Sequence, residues 1–168
     1  DAAEFEVLQY EFKAGLNAYL ATRPGAHVRT LAELIPFNNR EKAREMPFFG
    51  QDLMRRAQKK GPLTEKAYRD ALGRNQRFSR AEGIDAVMDK YRLDALIAPS
   101  GNPAWTTDLV NGDHFVGSST TPAAVAGYPC VSVPAGSAFG LPVGISFSGR
   151  AWRDELVLKL AYAYEQAT

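Results

Sequence analysis

The stretch "YPCVSVPAGSAFGLPVGISFSG", Tyr128–Gly149, decides the fold class of this 168-residue chain. It contains two apolar runs, "YPCVSVPAG" and "LPVGISFSG", each short and closed by glycine. Such runs are typical of buried strands. Only "AGSAFG" separates them, and a connection of that length predicts a β-hairpin.

A third apolar run, "LDALIAP", precedes the hairpin and ends at Pro99. About thirty residues lie between this run and Tyr128, the length of a crossover connection between parallel strands. A crossover combined with a hairpin predicts a short mixed β-sheet. The closing stretch "RDELVLKLAYAYEQAT" has apolar residues at helical spacing, so we expect it to pack on that sheet as a helix.

The chain before residue 92 predicts helices. Apolar residues recur every three or four positions in "DAAEFEVLQYEFKAGLNAYLATRPG". Thr30 followed by Glu33 is a helix-start signal, and we expect that short helix to stop near Pro36. A longer helix is predicted from residue 64 to residue 91, with Gly73 and Gly83 weakening its continuity.

The predicted fold class is therefore α/β, a short mixed sheet packed with helices. Residues 1–91 are expected to be mainly helical, and residues 92–168 to form strands plus a closing helix. The whole chain, 1–168, is predicted to be a single portion of one domain, since no linker, repeat or low-complexity tract divides it.

Composition excludes several classes of protein. With 20 basic and 19 acidic side chains the net charge is +1, so neither nucleic acid nor an anionic membrane is expected as a partner. The basic cluster at residues 55–60 is interpreted as a solvated helix face. A single cysteine, Cys130, allows no intrachain disulfide and no thiolate-cluster metal site, and we expect it to be a buried small side chain. No apolar run is long enough to span a bilayer.

The start of the chain gives one further expectation. It begins at Asp1, without methionine, and runs directly into a helical pattern. We therefore expect an upstream portion to be missing. No targeting region is visible, so the sequence leaves the compartment open, with the cytoplasm favoured over the alternatives.

Asp113, His114, Ser118 and Ser119 lie close together in the sequence and suggest a Ser-His-Asp triad. Such a triad needs the carboxylate on the ring nitrogen opposite the serine, and the adjacent Asp113 is badly placed to reach it. A simpler interpretation is that Ser118 or Ser119 caps a helix begun by "SSTTPAAVAG", with Pro122 in its first turn. A hydrolase working alone through Ser118 and His114 stays open as an alternative.

Three motifs in order resemble the C-terminal part of the amidase signature family: "LDALIAPSGNPAW", "GSSTTPAAVAGYPCVSVPAG" and "GLPVGISFSGRAWRDELVLKLAYAYEQ". The earlier stretches "YEFKAGLNAYL" and "FNNREKAREMPFFGQDL" are similar to the same region of its peptide-amidase-like members. The resemblance implies a C-terminal fragment of the amidase signature fold. It also implies an amidohydrolase that forms an acyl-serine intermediate without metal or cofactor.

The resemblance implies as well that the catalytic residues lie elsewhere. Members of the family use a nucleophilic serine, a second serine that relays the proton and a lysine base, all on a segment upstream of the matched motifs. None of the three can be placed on this chain, so no catalytic residue is assigned and the isolated chain is expected to be inactive. The expected partners are the missing N-terminal portion and, in the parent enzyme, a small amide substrate.

What this chain can contribute is the wall of a substrate pocket. Long connections at strand ends are where α/β proteins place ligands. The candidate substrate-binding residues in the connection after the first strand are Asn102, Trp105, Asp108, Asp113, His114, Phe115 and Ser118. Each also has an ordinary structural interpretation, as a core aromatic residue or a turn former.

Two further expectations follow. A non-catalytic binding or interaction module with an amidase-like shape is the alternative function. Apolar surface left uncovered by the missing portion should lead to self-association or to pairing with that portion.

Overall fold

The structure is a computed structural model that describes residues 2–168. Contacts divide the chain into two compact units, one ending at Arg74 and the other beginning at Asn75, and each is described by itself. That residues 1–168 form a single portion of one domain stays a prediction.

The first unit is helical. Its elements are α1 (Ala2–Ala21), α2 (Leu31–Arg40), α3 (Lys42–Glu45), α4 (Asp52–Gln58) and the start of α5 (Lys66–Ser79). Buried residues of α1, among them Val7 and Tyr10, pack against Tyr68 and Ala71 of α5. The Tyr10 hydroxyl donates to Glu65 at 2.6 Å, and the Tyr68 hydroxyl donates to Glu11 at 2.7 Å. Both tyrosines are therefore buried with their polar ends satisfied.

Helix α2 does not stop near Pro36, so that expectation is wrong. Thr30 caps the helix as predicted, accepting a hydrogen bond from the Glu33 amide, but the helix continues past Pro36 to Arg40. An interior proline removes one backbone hydrogen bond and disfavours a helix, yet the chain stays helical for another turn after Pro36. Buried Gln51 supports this turn from outside, donating to the Ile35 carbonyl at 2.9 Å and to the Asn39 side chain at 2.8 Å.

The second unit contains the sheet. Its elements are a π-helical turn (Arg80–Ile84), α6 (Asp85–Tyr91), β1 (Leu96–Pro99), α7 (Thr121–Ala126), β2 (Cys130–Ala138), β3 (Leu141–Ser148) and α8 (Asp154–Ala167). The three strands and the closing helix lie where the sequence predicts them. None of the helices described in residues 2–168 has the length and apolar character needed to cross a membrane.

The sheet has the strand order β1-β3-β2, and both of its hydrogen-bonded pairs are antiparallel. The α/β class and the hairpin are thus confirmed, whereas the parallel pair implied by a mixed sheet is not formed in the described chain. Strands β1 and β2 do run in the same direction, as a crossover requires. They are not neighbours because β3 is inserted between them.

The two faces of the sheet differ. On one face, Phe147 packs with Val157 and Ala161 of α8. On the other face, Leu96 packs against a cluster that includes Met88 and Ala126. The strands are less buried than predicted, since β2 is largely exposed. Cys130 in particular is exposed, contrary to expectation, and it lies at the start of β2, an edge strand of this sheet.

Helical structure runs from Lys66 to Tyr91, but Gly83 interrupts it. Gly83 has φ −114° and ψ −107°, which lies outside the helical region. A Cβ atom built on Gly83 would lie 2.3 Å from the Phe78 carbonyl oxygen, a contact that backbone atoms cannot relieve easily. Gly83, which weakened the prediction of a continuous helix, is therefore the residue that permits the bend at this point.

Replacing Gly83 by alanine should destabilise the protein, whereas Gly73→Ala should stabilise it. The methyl group introduced by Gly83→Ala would clash with the Phe78 carbonyl oxygen. We therefore expect the free energy of unfolding to fall by about 2 kcal/mol or more. Gly73 is interior to α5 with nothing within 4 Å of a built Cβ, so the same change should add about 0.5–1 kcal/mol. Urea unfolding of both variants measures the effects, and equal signs would contradict this account of Gly83.

Stability should fall between pH 10 and pH 12, in part through Tyr10. Its hydrogen bond to Glu65 and its burial raise the pKa of Tyr10 from 10.0 to about 12. In this window the native state keeps a proton that the unfolded chain has released, so the stabilisation is complete below about pH 10 and is lost as the pH rises.

Tyr10→Phe should therefore be less stable than wild type at about pH 8, with the difference shrinking toward about pH 12. The stability of the Tyr10→Phe variant should still fall somewhat with rising pH, because the hydrogen bond to Glu11 raises the pKa of Tyr68 as well. The matched control is Tyr162→Phe, since Tyr162 is 63% exposed. Urea unfolding across this pH range tests the prediction, and a constant difference between Tyr10→Phe and wild type would refute it.

Candidate functional site

All seven predicted site residues lie in the connection between β1 and α7, which we call the β1–α7 loop (residues 100–120). The loop folds back on itself, and Gly101 and Ser118 form an isolated antiparallel bridge at its base. Farther out, the Asn102 side chain donates to the His114 carbonyl at 3.4 Å and accepts from the Val116 amide at 3.3 Å. Asn102 thus ties the outgoing limb of the loop to the returning one.

The same two limbs bring the predicted aromatic residues together. Trp105 donates its indole N–H to the Asp113 carboxylate at 3.2 Å. The ring centroids of Trp105 and Phe115 are 6.4 Å apart, with the ring planes tilted by 57°. Because Trp105 is 39% and Phe115 63% exposed, the pair presents an apolar surface to solvent. This geometry suits contact with an apolar group of a ligand.

Asp108 shapes the tip of the loop. Its carboxylate accepts hydrogen bonds from the amides of Val110 and Asn111, each at 2.9 Å, and from the Asn111 side chain at 2.9 Å. These bonds favour the ionised form and hold the pKa of Asp108 below its ordinary value. Asp108 therefore acts as a turn former in this structure.

The two serines before α7, Ser118 and Ser119, donate hydrogen bonds from their hydroxyl groups to backbone carbonyls. Ser118 donates to the Ser100 carbonyl at 3.0 Å, and Ser119 donates to the Pro99 carbonyl at 2.6 Å. Neither serine caps α7, so that interpretation is wrong. The N-cap residue is Thr120, whose side chain makes no capping bond, and Pro122 lies in the first turn as expected.

The residues of the suspected triad do not form one. Asp113 accepts from Trp105, and Ser118 donates to a carbonyl. In the described residues no hydrogen bond joins the His114 ring to either of them. A Ser-His-Asp triad needs both of these bonds on one imidazole. The described part of the chain also contains no group of His, Cys, Asp and Glu side chains that could hold a metal ion.

A group of serine hydroxyls beneath the loop was not predicted. Ser100 Oγ lies 2.5 Å from Ser132 Oγ on β2 and 2.7 Å from Ser146 Oγ on β3. The sequence did carry a signal, since "VSV" and "ISF" alternate apolar and serine residues and so put the serines on one strand face. Their meeting with Ser100 depends on the strand order, which the sequence does not show.

Comparisons with known proteins agree on one family. The family model described as Amidase matches residues 2–158. A probable amidase of Arabidopsis thaliana is 33% identical over 173 residues, an alignment that covers 100% of this chain and 30% of the plant protein. A glutamyl-tRNA(Gln) amidotransferase subunit from Listeria welshimeri is 32% identical over 153 residues, covering 86% of this chain and 30% of its own length.

Solved structures give the same result. The native peptide amidase of Stenotrophomonas maltophilia is 44% identical with a TM-score of 0.91, and the match covers 99% of this chain and 33% of that one. A peptide amidase in complex with the competitive inhibitor chymostatin is 45% identical with a TM-score of 0.94. This match covers 99% of this chain and 34% of that one. This chain thus spans about a third of the length of the relatives it matches. Its motifs, its fold and a family match over nearly all of its residues show that it belongs to the amidase signature family.

Proposed function

We propose that this chain is the C-terminal portion of an amidohydrolase that cleaves carboxylic amides through an acyl-serine intermediate. The observation that carries the proposal is the 45% identity to a peptide amidase over 99% of this chain, which corresponds to 34% of that enzyme. The catalytic serine, relay serine and lysine of the family would then lie on a part of the polypeptide outside these residues.

In the proposed reaction the serine hydroxyl attacks the amide carbonyl carbon, and the C–N bond breaks. The serine proton passes through the relay serine to the leaving nitrogen, which departs as ammonia or an amine. Water then hydrolyses the serine ester and releases the carboxylate. The geometry of the β1–α7 loop is compatible with a supporting role, because its serines and its histidine form no nucleophile–base pair in the described chain.

The role of this chain in the proposal is to form part of the substrate-binding wall. Trp105 and Phe115 would contact an apolar substituent of the substrate, since their rings are paired and open to solvent. Asn102, Asp113 and Ser118 would act mainly by holding the loop in shape, because their polar groups bond within the loop or to its base. Asp108 would set the tip of the loop, and His114 would offer an exposed polar group beside the wall.

Small peptide amides are the substrate class that we propose. Two of the solved relatives are peptide amidases, and one of them holds a competitive inhibitor. An apolar side chain of such a substrate fits an aromatic wall better than a charged one would. The match to that peptide amidase covers 99% of this chain.

The proposed partner of this chain is the remaining portion of the enzyme. In the first unit, α1 and α4 flank an apolar groove of about 360 Å³, and Leu8, Phe12 and Leu53 in its lining are each more than 40% exposed. Phe48 and Phe49 are 70% and 71% exposed. Apolar surface of this extent favours pairing or, in the isolated chain, self-association.

The test is to purify the protein from its own gene in its source cell, measure its mass and assay release of ammonia from a peptide amide. A mass far above 18.4 kDa together with amide hydrolysis is expected, while the 168-residue chain alone should be inactive. A mass of 18.4 kDa without activity would favour a non-catalytic binding module. Activity of the isolated chain that Ser118→Ala abolishes would favour a hydrolase acting through Ser118 and His114.

Within the active protein, Trp105→Ala should weaken binding of substrates with an apolar side chain. Removing the ring takes away apolar contact area, so we expect KM to rise about tenfold with little change in kcat. Trp152→Ala is the matched control, because Trp152 is 94% exposed and lies outside the loop. Steady-state kinetics with an apolar and a glycine-containing peptide amide measure the effect. An equal rise for both substrates would contradict the proposed contact.

A further inference from the structure

Ser100, the residue that follows β1, uses every one of its polar groups to join the β1–α7 loop to the sheet. Its amide donates to the Gly144 carbonyl at 2.8 Å. Its carbonyl accepts from the Ser118 hydroxyl at 3.0 Å, which connects the beginning of the loop to its end. Its hydroxyl lies within 2.7 Å of the hydroxyls of Ser132 and Ser146. One residue therefore links both limbs of the loop to β2 and β3.

The surroundings leave little freedom to this group of hydroxyls. Ser146 is 2% exposed, and it is the register partner of Ser132 on one side and Ala98 on the other. A Cβ atom built on Gly144 would lie 2.9 Å from both Ser100 Oγ and Ser132 Oγ. The sheet thus presents a fixed socket for the Ser100 side chain, and glycine at position 144 keeps that socket open.

We infer that Ser100 is a positioning residue for substrate binding, which holds the base of the β1–α7 loop and so keeps the Trp105–Phe115 wall in place. The inference rests on the proposed function and deepens it. In the described residues the hydrogen bonds of Ser100 go to the sheet and to the base of the loop, and none reaches Trp105 or Phe115. Ser100 acts through Ser118 at the base of the loop, from which Asn102 and the aromatic pair extend.

The kinetic experiment uses the full-length protein from its own gene and a peptide amide with an apolar side chain. Ser100→Ala should raise KM about tenfold and leave kcat within about twofold, because the loop moves while the reacting groups stay in place. Ser100→Thr keeps the hydroxyl and should restore most of the affinity. Ser148→Ala is the matched control, since Ser148 lies on the same strand face but its hydroxyl donates to the Cys130 sulfur and not to Ser100 in the described chain, and its KM should equal that of wild type.

A purely structural role would give a different result. Ser100→Ala would then lower the urea midpoint with KM unchanged, and this outcome would overturn the inference. If Ser100→Ala does not fold, Ser132→Ala tests the same link from the exposed side of the cluster, with an expected rise in KM of about threefold. An unchanged KM in Ser132→Ala would also count against the inference.

Hydrogen exchange separates this inference from the proposed function. The amides of Val116 and Ser119 are bonded to Asn102 and to the Ser100 carbonyl, so Ser100→Ala should speed their exchange about tenfold or more. Faster exchange in a protein that hydrolyses no amide would leave the anchoring by Ser100 intact and refute the proposed function. Wild-type exchange and wild-type KM in an active Ser100→Ala amidase would refute the inference alone.

Discussion

Strand β3 pairs on both sides through the same four residues, Ile145–Ser148, and much of the second unit depends on this double pairing. Leu96–Pro99 of β1 bonds to one edge of the segment, and the beginning of β2 bonds to the other. Alternation then sends Ile145 and Phe147 to one face and Ser146 to the opposite face. The apolar face receives α8, and the serine face receives Ser100. The packing of α8 on the sheet and the contact of Ser100 with Ser146 therefore both follow from the register of β3 with its two neighbours.

The β1–α7 loop illustrates how a long connection can be ordered without regular secondary structure. Several of its polar side chains bond to backbone groups of the loop, as the Asn102 and Ser118 side chains do. Asp108 accepts from the Val110 amide, and Asn102 donates to the His114 carbonyl. In this arrangement the paired rings of Trp105 and Phe115 keep exposed surface.

In the first unit, polar contacts hold α1 along one side. Lys13 donates to the Gln58 carbonyl at the end of α4, and Lys60 pairs with Glu6 at 2.6 Å. Tyr10 and Tyr68 add the two buried hydroxyl–carboxylate bonds. Residues 55–60 are therefore only partly the solvated basic face that the sequence predicts, since Lys60 is paired and Arg56 lies 4.8 Å from the Phe5 ring centroid. The remaining side of α1 keeps exposed apolar residues, which is the surface proposed for the rest of the enzyme.

The sequence by itself determined the α/β class, the positions of the three strands and of α8, the amidase resemblance and the loop that carries the candidate residues. These are local properties, because the periodicity of apolar residues, the turn residues and the order of motifs can be read from the sequence without knowing the tertiary contacts. It misplaced the end of α2, since the support that Gln51 gives to the turn after Pro36 comes from a later segment. Only the tertiary structure decided that β3 lies between β1 and β2, that Asp113 bonds to Trp105 and not to His114, and that Ser100 meets Ser132 and Ser146. Each of these features depends on contacts between residues distant in the chain or on the path of a loop. Long-range contacts and loop paths produce no periodic pattern in the sequence.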